Sequence, residues 1–367
     1  MKTKAFLAAV AFAMTATAAL AVQSTSTVSV TNTAKKGSLL VFPLVNIDPN
    51  AKADTIIEIS NDETASVHVN CYYVNEQKGR VDFDFELSGK ATVSWDVLTM
   101  KGDGIYPPPF PSYGDYPVFG SIYRGELICF ATDQGVTNQI AFNHLHGTAS
   151  ILGVGSAVKY STWDFWALNS DGSGPESDNV VMGWAGTLPL DGQGGHYDAC
   201  PLYNTTSFMP NGATLGNLTT GANYLGVASC NQDLRQDYKL HTTKLLFTIW
   251  NSHEQSYTGT YYCADSVIFV PLLDSNAKLV NPTNFDYKTL GTPDALYDVQ
   301  GIPSTECPTK TYGKTEAAGT LGIVASLVGI AGGAATDLVG SNVHQAGTIA
   351  GFVQWDPAGS VPFSKKK

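Results

Sequence analysis

Ile57-Glu58-Ile59-Ser60-Asn61, leading to Cys71-Tyr72, and Phe247-Thr248-Ile249-Trp250-Asn251, leading to Tyr262-Cys263, share one pattern. Each alternates apolar and polar residues, the period of a half-buried strand, and each places an asparagine before a cysteine about ten residues on. Further along, Arg124-Gly125-Glu126-Leu127 and His144-Leu145-His146-Gly147-Thr148 match Ala318-Gly319-Thr320-Leu321 and His344-Gln345-Ala346-Gly347-Thr348 in the same order. A duplication is the simplest account, and the expectation is an all-β chain of two tandem, duplicated, disulfide-containing β-sandwiches of Ig-like type.

Working outward, short β-type segments are expected at 38–43, 55–60, 66–74, 81–87 and 91–98, and again at 120–132, 138–143, 148–154 and 159–168, with turn residues between them. The 36 glycines and 18 prolines, with only 14% charged residues, fit buried sheets joined by many turns, and no segment carries the apolar stripe of a long helix. Asn169-Ser170-Asp171-Gly172-Ser173-Gly174-Pro175-Glu176-Ser177-Asp178 reads as a linker. It divides a first sandwich at 37–168 from a second at 179–363, the latter followed by a basic tail at 364–367. The Gly- and Ala-rich run 317–335 is expected as two paired buried strands turning at Gly332-Gly333, in preference to a membrane helix.

Lys2 and Lys4, an apolar stretch from Ala5 to Met14 and small residues up to Ala21 form a secretory signal peptide at 1–21, followed by a Thr/Ser/Val-rich lead or edge strand at 22–36. The expectation is an exported protein, soluble once exported and extracellular or cell-surface, with the periplasm as the other destination and no transmembrane segment in the mature chain. The six cysteines Cys71, Cys129, Cys200, Cys230, Cys263 and Cys307 are expected to pair there. Of the 15 pairings open to six cysteines, Cys71–Cys129, Cys200–Cys230 and Cys263–Cys307 are favoured, each closing a moderate loop within one domain. Loss of the two signal lysines takes the formal net charge from −11 to about −13. An acidic chain whose basic run is confined to Lys365-Lys366-Lys367 does not suit nucleic acid.

The stretch Cys230-Asn231-Gln232-Asp233-Leu234-Arg235-Gln236-Asp237, with Trp250-Asn251 and Tyr262-Cys263-Ala264-Asp265-Ser266, resembles a family of exported β-rich proteins of metal- and sulfate-reducing bacteria. Residues 37–43, Cys71-Tyr72-Tyr73, Tyr197-Asp198-Ala199-Cys200-Pro201 and Trp355-Asp356-Pro357 extend the resemblance over most of the mature chain. It brings no assigned activity or catalytic residue. Tyr261-Tyr262-Cys263-Ala264 also resembles a late strand of an immunoglobulin variable domain, but Trp250 lies too close to Cys263 for that signature.

His144 and His146 flank one leucine, so on a strand both rings would share a face, as a metal site needs. His344 is in the matching place of the other copy, but Ala346 replaces the second histidine. A blue-copper set is missing, since Met182 and Met209 lie far from any Cys–His pair. Asp82, Asp84, Glu86, Asp164 and Asp171 are the carboxylates from which a glycosidase pair would be drawn, although Asp82-Phe83-Asp84-Phe85-Glu86 reads more simply as an acidic face opposite buried phenylalanines. Asp103 and Asp115 lack EF-hand spacing for calcium. Tyr106, Phe110, Tyr113 and Tyr116 dot a proline-rich loop and Trp163 and Trp166 close the first half, and exposed aromatics of this kind stack on sugars or anchor a partner. The function expected is a non-enzymatic, cofactor-free structural or interaction protein, open to self-assembly. Its partners would be copies of itself, another surface protein or an extracellular glycan, and a carbohydrate- or metal-binding module is the alternative.

Overall fold

A computed structural model describes residues 28–48, 53–76, 79–111, 123–153, 156–235, 241–264, 267–307, 314–330 and 336–357. The expected signal peptide at 1–21, the basic tail at 364–367, Tyr113, Asp115, Tyr116 and the expected turn at Gly332-Gly333 lie outside these residues. The strands form five sheets. Sheet one runs Trp163–Phe165, Leu39–Ile47, Tyr123–Thr132, Val67–Asn75 and Arg80–Leu87, all antiparallel. Sheet two runs Gly102–Asp103, Thr92–Asp96, Asp54–Asn61, Leu145–Gly153 and Ser156–Ser161. Sheet three has Thr187–Leu190 and Gly351–Gln354 antiparallel and Asn231–Asp233 parallel to the latter. Sheet four runs Thr214–Leu215, Leu218–Ser229, Thr320–Ile330 and Thr336–Asn342, with Ile268–Pro271 also on Leu218–Ser229. Sheet five runs Ser256–Ala264, His241–Asn251, Ala295–Ile302, Tyr203–Phe208 and His344–Ala346.

These sheets stand as the small blades of a five-bladed β-propeller arrangement, and the expected pair of tandem Ig-like sandwiches is not formed. The reason lies in Leu39-Leu40-Val41-Phe42. Leu40 and Phe42 point into a core shared by sheets one and two, with Ile57, Ile59, Trp95 and Ala149 opposite. Leu39 and Val41 point the other way, into a second core with Trp163, Phe165, Leu188, Leu321, Val353 and Trp355. A sheet buried on both faces cannot be the outer leaf of a sandwich, and the second core joins early and late parts of the chain. Sheets four and five enclose a third core around Phe247, Phe285, Tyr297 and Val299. Blades are not built from consecutive strands; the chain crosses from sheet to sheet between most of them.

The apparent duplication dissolves at the same level. Ile57 and Cys71 lie in different sheets, whereas Phe247 and Cys263, their expected counterparts, lie on neighbouring strands of one hairpin. Alternation and a spaced cysteine therefore recur without recurring topology.

Pro43 has no N–H to give a ladder, and the register of Leu39–Ile47 slips between Phe42 and Val45. The buried Tyr160 hydroxyl fills the gap: it accepts from the Leu44 N–H (3.3 Å) and donates to the Leu44 carbonyl.

Three disulfides join Cys71 to Cys129, Cys200 to Cys230 and Cys263 to Cys307, the favoured pairing. The first links directly opposed residues of neighbouring strands. The second lies in the second core, where Gly351 passes so close that a Cβ there would fall 2.8 Å from the Cys200 sulfur. Among the described residues no helix is long and apolar enough to cross a membrane. The 317–335 run supplies one strand, Thr320–Ile330, and its antiparallel partner Thr336–Asn342 begins after the run ends.

Candidate functional site

Among the described residues, the most exposed aromatic side chains are at two loops. Tyr106, in the proline-rich loop, is 96% exposed, and Trp184 is 82% exposed. Val180 and Val181 beside Trp184 are also exposed, so residues 180–184 present an apolar patch. The loop is held firmly from beneath. Val181 bridges Ile140, the Met182 N–H donates to the Gln139 carbonyl (3.1 Å) and the Thr187 N–H closes a turn on the Trp184 carbonyl (2.9 Å). The wholly buried Gln139 side chain turns its amide nitrogen to the carbonyls of Met182, Trp184 (2.7 Å) and Thr187 (2.9 Å). Its oxygen accepts from the Trp355 indole (3.1 Å). The flanking Gly183 and Gly186 have positive φ, which lets the chain turn tightly and leaves the indole outside. A tryptophan between two such glycines in Gly183-Trp184-Ala185-Gly186 is the sequence signal for this site, and the aromatic reading passed over it.

The aromatic residues singled out from the sequence fall elsewhere. Phe110 is buried, its ring 5.3 Å from Tyr73. Trp163 is fully buried, donating its indole N–H to the Gly322 carbonyl (3.1 Å). Trp166 is half-buried, with the Lys35 ammonium 4.5 Å above its ring. It lines a groove of about 620 Å³ together with Asn32, Lys35, Asn342, His344 and Gln345.

The lead supplies one wall of this groove because residues 29–36 are bound to their own chain. Val30 bridges Ala199, Asn32 bridges Asp164, and the Thr31 hydroxyl donates to the Asp164 carbonyl (2.8 Å). Lys35 pairs with Asp198, which also accepts from the Trp166 N–H (2.6 Å). Burial pushes the Lys35 ammonium below its ordinary range, against the pull of Asp198. Burial raises the Asp164 carboxyl well above the carboxylate range, opposed by the Thr162 hydroxyl and by Lys35. Asp164 is thus enclosed beneath the groove.

The other acids are used structurally or lie apart. Asp84 and Glu86 are exposed on the outer side of Arg80–Leu87, and Asp84 meets His68 (2.6 Å), while Phe83 and Phe85 pack on the first core. Asp171 is exposed and accepts from the Ser173 N–H (2.9 Å). Asp103 is exposed in a two-residue strand.

His144 and His146 are not brought together. His146 lies exposed on Leu145–Gly153, opposite Ser60. His144 precedes that strand, and its ring turns instead to Asp62, Glu63 and Asp178. His344 is exposed at the groove of Trp166. No family model and no curated protein matches the chain.

Proposed function

We propose that the chain is an exported, non-enzymatic interaction protein of the cell surface or extracellular space. Its contact with a partner protein, a second copy included, is the loop 180–187 with Trp184 at its centre. The observation that carries this reading is Trp184 itself, 82% exposed on a loop fixed from below by buried Gln139. Tryptophan is the side chain most enriched among binding hot spots, and a loop already ordered loses little further freedom on binding. Three disulfides suit an oxidising compartment.

The test compares the exported chain with Trp184→Ala by light scattering and sedimentation. The indole makes few internal contacts, so the variant should keep its stability within about 0.5 kcal/mol. The expected result is a defined wild-type assembly weakened at least tenfold in the variant. If the wild type is monomeric, both chains are immobilised and offered the surface proteins of the producing cell. Equal retention by both, or none, would overturn the assignment.

A second reading has its own observation. The groove at Trp166 sets an aromatic ring beside the amides of Asn32 and Gln345, a combination that suits sugar hydroxyls. Trp166→Ala should then abolish retention on a glycan panel, and unchanged retention would remove it. Trp163→Ala is no use for this purpose, because that ring is in the core.

A further inference from the structure

We infer that Glu63, His144 and Asp178 form a binding site for a divalent transition-metal ion, Zn²⁺ by its donor set. His144 Nε2 lies 3.7 Å from Glu63 Oε2 and 3.6 Å from Asp178 Oδ2, and the three ligand atoms are all within 4.8 Å of one another. Two donors on one tetrahedral zinc, each about 2.0–2.1 Å from it, are about 3.3 Å apart. The imidazole already stands within a few tenths of an ångström of that spacing from each carboxylate, and the two carboxylates, within 4.8 Å of one another, draw together to complete the set.

The orientation of each ligand has a local cause. Asp62 Oδ1 is 3.0 Å from His144 Nδ1, which places the ring proton there and turns the Nε2 lone pair toward the two carboxylates. Glu63 Oε1 is taken by the N–H and hydroxyl of Thr64, both at 2.7 Å, which leaves Oε2 for the site. The Asn61 side chain fixes the Glu63 backbone (2.8 Å), and the Asp62 N–H donates to the His144 carbonyl (3.1 Å). Asp178 is brought in by the 169–178 segment, which is tied down on both sides. The Asn143 side chain donates to the Ala167 carbonyl (2.9 Å), the Glu176 N–H donates to the same carbonyl (2.7 Å), and the Asn179 N–H donates to the Ala141 carbonyl (2.9 Å).

One imidazole with two carboxylates suits zinc. Calcium and magnesium prefer oxygen alone, and copper(I) prefers sulfur. All three ligands are partly exposed, so water can fill the fourth position. The ion would join the 61–64 turn, the residue before Leu145–Gly153 and the 169–178 segment, and so act as a clasp on that segment.

The experiment is calorimetric titration of the tag-free, full exported chain with Zn²⁺, and with Ca²⁺ and Mg²⁺ as comparators. One equivalent of zinc should bind, at least tenfold more tightly than calcium or magnesium. Glu63→Gln, His144→Gln and Asp178→Asn should each weaken it at least tenfold, while His146→Gln leaves it unchanged. Because binding clasps the segment, zinc should also slow cleavage after Glu176 by a glutamate-specific protease in the wild type, but not in Asp178→Asn. An absence of zinc binding, equal affinity in His144→Gln, or calcium binding as tight as zinc would overturn the assignment.

Discussion

Asp54 shows how packing sets the chemistry of a single side chain. Its Oδ1 accepts from the N–H groups of Thr55 (2.6 Å) and Leu98 (3.1 Å), and its carboxyl shares a hydrogen bond with Asp96. Burial, and then the bond to Asp96, raise it to about 6, while Asp96 is held below its ordinary range by the bonds it accepts, against burial. A carboxyl raised in the folded state contributes stability below its unfolded value, near 4, and loses it as the pH climbs through about 6. Asp54→Asn keeps both backbone bonds through its oxygen and donates to Asp96 through its nitrogen. Between pH 4.5 and 7.5 the variant should therefore gain about 1 kcal/mol on the wild type, a figure reduced for access of water to the pair. Urea unfolding at the two pH values checks this, and parallel pH profiles would refute it. At this scale the sequence was a mixed guide: Trp163 and Trp166 read alike, yet burial of sheet one on both faces hides the first and leaves the second on a groove. His144 was named from its spacing to His146, but its partners come from remote segments that no local pattern links.

Among elements, the disulfides differ in how they are covered. Cys71, Cys129, Cys200 and Cys230 are all buried, whereas Cys263 is half-buried on Ser256–Ala264, an outer strand of sheet five. Thiol exchange needs access to sulfur, so a mild reductant applied to the folded chain should open Cys263–Cys307 first, leaving the other two closed. Differential alkylation with mass mapping gives the order, and early labelling of Cys71 or Cys200 would contradict it. With a sequence separation of 44, that bridge is worth about 4 kcal/mol in the chain-entropy model, which its removal by paired alanines should approach. Individual strands were legible because alternation is local: the segments expected at 55–60, 66–74 and 81–87 became Asp54–Asn61, Val67–Asn75 and Arg80–Leu87. Pairing was not legible, since it depends on which face of Leu39–Ile47 meets which core. The segment 138–143 became a loop, with Gln139 and Ile140 in isolated bridges, because Gln139 spends its side chain on the Trp184 loop.

For the whole molecule, the decisive feature is the second core, which collects Leu39, Tyr72 and Phe130 from early in the chain and Cys230, Leu321, Val353 and Trp355 from late. Trp163→Ala empties a fully buried indole site within it, at an expected cost of about 3–5 kcal/mol. Because sheet one belongs to two cores, the loss should appear as a shift of one calorimetric transition. Two separate transitions, with only one displaced, would show that the halves unfold independently. Sheet three, which covers this core, also has a bearing on synthesis. It joins residues 187–190, 231–233 and 351–354, and its middle strand is the last of the three in the chain. A polypeptide made from its N-terminus cannot close this layer until residue 354 has emerged, and until then the apolar side of sheet one stays bare. Maturation is therefore a late, long-range event that leaves a time window for holding chaperones and for proteases, and a chain stalled short of that residue becomes a substrate for quality control.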